Sequence, residues 1–165
     1  MGEEQRLTNH DAIRNRQLFE DYVPFVRSLA NLTEEQQLKR LGEGKWSVRD
    51  VIAHMWKWDE FFERHAVLPL SQGQPLTYHH LDFNAFNENA KNECRKLDWK
   101  HVTEQAAATR ERLLNAIRGI PESEYDREHQ DADGRPFSVT AYLLDFAEHD
   151  EHHRKQIESA LGTAL

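Results

Sequence analysis

Apolar residues in this chain recur at intervals of three and four, and strand-like alternation is nearly absent. That period places them on one face of a helix, so the chain is expected to bury helical stripes against one another. A first helix is expected from Asn9 to Leu32, with Ile13, Leu18, Tyr22, Phe25, Val26 and Leu29 as its inward stripe. Pro24 should kink or break it. The stretch TEEQ, Thr33 to Gln36, has the form of a capping box and starts a short helix. A second long helix is expected from Ser47, a good N-cap, to Leu68, with Asp50 complementing its N-terminus. Its stripe is Val48, Val51, Ile52, Met55, Phe62 and Ala66. Residues 69–77 carry Pro and Gly and read as a loop. A polar helix is expected from Tyr78 to Lys96, anchored by Leu81, Phe83, Phe86 and Ala90. A third long helix runs from Asp98 to Arg118, with Gly119 in the C′ position and Pro121 after it. Residues 122–136 read as a long loop. Ser138 then caps a last helix that continues to Leu161, before Gly162. Four long helices joined by polar connections imply an all-α four-helix bundle with short extra helices in the connections.

The 165 residues suit one domain, 1–165, and no stretch reads as a linker. A net charge of −8 and the lack of any Lys/Arg run argue against nucleic acid as a partner. No apolar run approaches the roughly 20 residues of a membrane span, and the N-terminal stretch MGEEQRLTNHDAIRNRQ has no signal-peptide core. A single cysteine, Cys94, excludes an internal disulfide and suits a reducing, cytoplasmic setting.

The chemistry concentrates in histidine, of which there are 10. In AEHDEHHRKQIE, residues 147–158, a helical wheel puts His153 within the apolar stripe, His149 at its edge, and His152 toward solvent. His149 and His153 are spaced i, i+4, so one helix face carries both imidazoles. Such a pair is either two ligands of one metal or a pair of core-edge and surface residues. A catalytic metal takes about three protein ligands and keeps one position open. The third would come from another helix, and His54, beside Trp58 and Phe61, is the best candidate. His65 lies roughly 16 Å further along the same helix, too far to share the ion. Asp150 falls within the apolar stripe and needs a partner, either a ligand histidine or an arginine from another helix. Asp150 and Asp59 are the candidate catalytic carboxylates. The four tryptophans read as packing residues and Cys94 as a bystander.

Three stretches together, KWSVRDVIAHMWKWDE, DFNAFNEN and HDEHHRKQIE, resemble the DinB-like superfamily with its YfiT-like metal-dependent hydrolases. The middle stretch is also similar to the ClbS/DfsB-like branch of four-helix-bundle proteins. The likeness spans Leu18 to Leu161. Its most specific part is W-S-x-x-D-x-x-x-H followed by H-x-x-x-H-R-x-Q-I. The resemblance implies a divalent metal, nickel or zinc, held by His54, His149 and His153. It implies a hydrolase or a thiol-dependent transferase acting on a small electrophile, with a low-molecular-weight thiol as a cosubstrate in the second case. Trp58, Phe61 and Phe146 would line the pocket. It also implies a homodimer, in keeping with long bundles that expose Trp and Phe. Two other readings compete: a non-catalytic metal-binding stress or interaction protein, and an interaction module without metal.

Overall fold

The computed structural model describes the backbone of residues 3–162 and the side chains of residues 11–162. Seven α-helices follow in order: α1 (Glu3–Ser28), α2 (Glu34–Gln37), α3 (Val48–Phe62), α4 (Leu68–Ser71), α5 (Phe83–Arg95), α6 (Trp99–Arg118) and α7 (Val139–Leu161). Two short strands, β1 (His129–Gln130) and β2 (Pro136–Phe137), pair antiparallel between α6 and α7. No described helix is long and apolar enough to cross a membrane.

The N-caps act as the sequence suggests. Ser47 and Thr33 each accept from the backbone three residues on, and Asp50 and Gln36 return the bond. Asp98 and Ser138 accept from His101 and Ala141 to start α6 and α7. Gly162 ends α7 at φ 70, a left-handed conformation that glycine adopts without strain. Gly119 differs from its expected C′ geometry: it closes α6 in the right-handed region, at φ −72.

Several elements depart from the sequence reading. The first helix starts earlier, at Glu3, and continues unbroken through Pro24 to Ser28. Pro24 is exposed, so its ring sits on the helix's solvent side. The buried line is Ala12, Phe19, Tyr22, Val23, Phe25, Val26 and Leu29, whereas Ile13 is 38% exposed. The second helix is not uniform to Leu68. It widens into a π-turn at Glu63–Val67 and ends in α4, within what reads as a loop. The extra residue of that turn brings both Ala66 and Val67 inward. The polar helix begins at Phe83, not Tyr78. The Tyr78 carbonyl accepts from Ala132, and the His80 amide donates to the Asp133 carboxylate, so this backbone is tied to the β1–β2 turn. The loop expected over residues 122–136 folds into a 3-10 turn, Glu122–Glu124, and the strand pair.

Helix α3 packs on α6, α6 on α1, and α1 on α7. Phe19, Val26, Leu29, Ile52, Leu113, Ile117, Leu143 and Ile157 form the fully buried centre. Helices α3 and α7 have no such close backbone packing among the described residues. Side chains fill the seam between them, and α5 lies against α3 on one side of it.

Within the bundle, Arg110 of α6 is 1% exposed. Its guanidinium donates to both carboxylate oxygens of Asp59 (2.8 and 3.2 Å) and both of Asp150 (2.6 and 3.0 Å). It also donates to the Phe19 carbonyl at 2.9 Å. This supplies the partner that Asp150 requires. Burial pushes Asp59 up to about 6 and Asp150 upward, while the Arg110 charge pulls both the other way. Two carboxylates share one cation, so the cluster favours an added proton more than a simple ion pair does.

Candidate metal centre

The structure brings His54 from α3 together with His149 and His153 from α7. His54 Nε2 lies 3.2 Å from His149 Nε2, and His153 Nε2 lies 2.9 Å from the same atom. One nitrogen from each ring falls within 4.8 Å of the other two. His54 is 7% exposed, and the other two are half-buried.

Hydrogen bonds fix which nitrogen points inward. The Trp58 indole N–H, which can only donate, meets Asn87 Oδ1 at 2.8 Å. His54 Nδ1 lies 2.8 Å from that same oxygen, so Nδ1 carries the proton and Nε2 presents its lone pair. His153 Nδ1 lies 3.0 Å from Gln156 Oε1, which selects the same tautomer. Two lone pairs thus converge on His149 Nε2, and a single proton there could serve only one of them. A cation satisfies all three. Tetrahedral imidazole ligands about 2.0–2.1 Å from an ion stand roughly 3.3 Å apart, close to the two separations from His149 Nε2. The residues therefore fit a divalent metal.

The electrostatics agree with a neutral, ligating triad. Burial lowers His54 to about 4 and His149 to about 3, with the neighbouring imidazoles adding to the effect on His149. His153 is lowered too, again by burial first. A histidine whose folded pKa lies below its unfolded value contributes stability that is full above pH 6.5 and lost as pH falls through the folded value. The metal-free chain is therefore expected to weaken between pH 6.5 and about 4 more steeply than His149→Phe, measured by urea unfolding. The comparison cancels Asp59, which works in the opposite sense. Identical pH profiles for the two proteins would count against a buried neutral His149.

The other histidines fall elsewhere. His152 is exposed. His65 sits exposed in the π-turn, against Phe61 with ring centroids 4.8 Å apart. The candidate carboxylates Asp59 and Asp150 are brought together by Arg110, with all four oxygens engaged. Cys94 is buried, and burial pushes its thiol up to about 11, so it is a poor nucleophile.

A cavity of about 380 Å³ opens beside the triad, lined by His54 and His149 with Trp58, Phe62, Phe83, Asn87, Asp145 and Phe146. Trp58 and Phe146 stand where the sequence places pocket residues, whereas Phe61 lines adjoining recesses. Sequence reasoning missed four members of this neighbourhood, among them Phe83, which reads as a helix anchor but is 55% exposed at the cavity mouth. Asp145 was legible in principle, since Asp145, His149 and His153 repeat every four residues along one face. Phe62 reads as core, but is half-buried at the cavity wall. Asn87 has no signal of its own, because its role depends on α5 packing against α3. It positions His54, and outer partners of metal-binding histidines contribute about 10–100-fold in affinity. Asn87→Leu is expected to weaken zinc binding by that factor without unfolding the chain. Calorimetric titration showing unchanged affinity would remove Asn87 from this role.

The model of the DinB superfamily matches residues 20–157. Among solved structures, the chain is similar to YfiT from Bacillus subtilis, with a TM-score of 0.68 and 19% sequence identity, covering 99% of this chain and 91% of that one. That protein is described as "a probable metal-dependent hydrolase with an unusual four-helix bundle topology". At this identity the likeness shows the fold. No curated protein matches the sequence.

Proposed function

Because the chain belongs to the DinB superfamily, we propose that it is a metal-dependent enzyme whose triad of His54, His149 and His153 activates a nucleophile against a small electrophilic molecule. The observation that carries this reading is the convergence of three Nε2 atoms, in a desolvated seam, at the edge of an open cavity. A purely structural site would be enclosed by protein ligands on all sides, whereas this one borders space for water and substrate.

When bound, a divalent ion supplies Lewis acidity and draws the pKa of a water or thiol down toward neutrality. Zinc or nickel suits three imidazoles. The protein's own groups do the rest. Asn87 and Gln156 hold the rings of His54 and His153 in the ligating tautomer. Trp58, Phe62 and Phe146 exclude bulk water from the reacting face. Asp145 is the carboxylate that lines the triad's cavity, and so the group placed to receive a proton there. Since Cys94 is buried and poorly ionised, any sulfur nucleophile has to come from an external thiol. The reaction is thus hydrolysis or thiol transfer.

Metal analysis tests the reading. Purified protein is expected to carry close to one divalent ion per chain. Removing it with a chelator should lower the melting temperature by about 5–10 °C, as for an ion held well below its working concentration. Protein that takes up no nickel, zinc or manganese, and melts the same with and without chelator, would sink it.

A further inference from the structure

The cavity at the triad is walled by aromatic rings. Trp58 and Phe83 lie 5.3 Å apart at their centroids, and Phe62 and Phe146 lie 5.1 Å apart. Its polar complement is small. The Asn87 oxygen already accepts from both His54 and Trp58. That leaves the Asn87 amide NH2 and the Asp145 carboxylate as the remaining charged or amide groups on the lining. A sugar or phosphate ligand requires several convergent donors, which this section does not offer, and a carboxylate at Asp145 opposes a second negative charge beside it.

A second recess of about 220 Å³ adjoins it, and Trp58, Phe62, Phe83, Asp145 and Phe146 line both. Phe137 of β2 and Tyr142 of α7 form the buried inner wall of that recess. Arg135, and His79 and His80 of the segment tied to the β1–β2 turn, bring hydrogen-bonding groups to that recess and do not line the triad's cavity. Phe83 stands at the junction of the two spaces and is 55% exposed, an unusual exposure for a phenyl ring that touches Trp58 and His80.

From this cleft we infer that the substrate has a flat aromatic or conjugated body, bound with its electrophilic end at the histidine triad, its rings between Trp58, Phe62, Phe83 and Phe146, and a polar end toward Arg135. The inference rests on the metal-centre reading for the orientation of the ligand, and on the rings alone for its class. Flat rings gain from both apolar burial and stacking against aromatic faces, which an aliphatic chain of equal size does not.

The test compares two hydroxamates on zinc-loaded protein by calorimetry. Acetohydroxamate can engage only the metal, whereas 2-naphthohydroxamate adds a flat ring system. The naphthyl compound is expected to bind at least about 30-fold more tightly. Phe146→Ala and Phe83→Ser should each remove most of that advantage, and Phe83→Ser should leave acetohydroxamate affinity unchanged. Phe83→Ser serves where Phe146→Ala fails to fold, because Phe83 is exposed. On metal-free protein, 2-naphthol should still bind and shift the tryptophan emission. Binding of 2-naphthol by a chain that takes up no zinc would support the ring site and overturn the metal-centre reading. Equal affinities for the two hydroxamates, or no binding of 2-naphthol, would overturn the ring site.

Discussion

Replacing Arg110 by alanine lowers the unfolding free energy by about 3–5 kcal/mol at pH 7.5, because it strands two buried carboxylates without their cation. The guanidinium engages all four carboxylate oxygens of Asp59 and Asp150. It also lies over the rings of Phe19 and Tyr22, at 3.6 and 4.0 Å from their centroids. The effect has a definite pH dependence. An acid whose folded pKa is raised favours folding at low pH and loses that contribution as pH rises through the folded value. Asp59 already stands at about 6 with Arg110 present, and without it both acids rise further. The destabilisation is therefore largest above pH 6 and shrinks toward pH 4. Urea unfolding across that range reads it. A loss below about 1 kcal/mol at pH 7.5, or one that grows with acid, would contradict the clamp.

The same cluster tests the assignment of the catalytic carboxylate. Exchanging the whole ion cluster for apolar residues, as Arg110→Met with Asp59→Leu and Asp150→Leu, removes charge and partner together and should recover most of the stability. If the folded triple variant keeps its zinc, Asp59 and Asp150 serve the bundle and are not needed to hold the site. Turnover surviving in that variant would leave Asp145 as the carboxylate to examine.

His149→Ala is expected to abolish stoichiometric metal binding, with affinity reduced by more than about 100-fold, beyond what loss of an outer partner produces. His149 Nε2 is the atom that both other rings approach, so its removal leaves two imidazoles on different helices without a common neighbour. The helical circular dichroism should not change, since the bundle's buried centre lies on other residues. His152→Ala provides the control, because that ring is exposed, and it should load metal like the parent. Normal zinc occupancy in His149→Ala would show that the triad is not the site.

Much of this was legible in the residue order, though unevenly. The caps at Thr33, Ser47 and Ser138 were legible because an N-cap is a local bond between a side chain and an amide two or three residues away. The pairing of His149 with His153 was legible for the same reason, since i, i+4 neighbours meet on any helix. The π-turn at Glu63–Val67 was not, as a widened turn has no residue pattern distinct from that of an ordinary helix. The start of α5 was misplaced by five residues because the backbone of 78–80 bonds to a turn more than fifty residues away.

What the sequence determined by itself is the set of features encoded within one or two helical turns: the helical period, the helix ends, the inward pair of imidazoles and the need of Asp150 for a partner. The tertiary structure alone decided which distant groups complete them. It supplied Arg110 to Asp150 and Asp59, Asn87 to His54, and a seam between α3 and α7 in which three imidazoles meet beside a cavity walled by aromatic side chains. The physical reason is the range of the interactions. Capping bonds and helix-face neighbours follow from backbone geometry over a few residues. Ion pairing, ligand convergence and cavity walls depend on how whole helices pack, and that packing is set by the sum of many apolar contacts across the bundle.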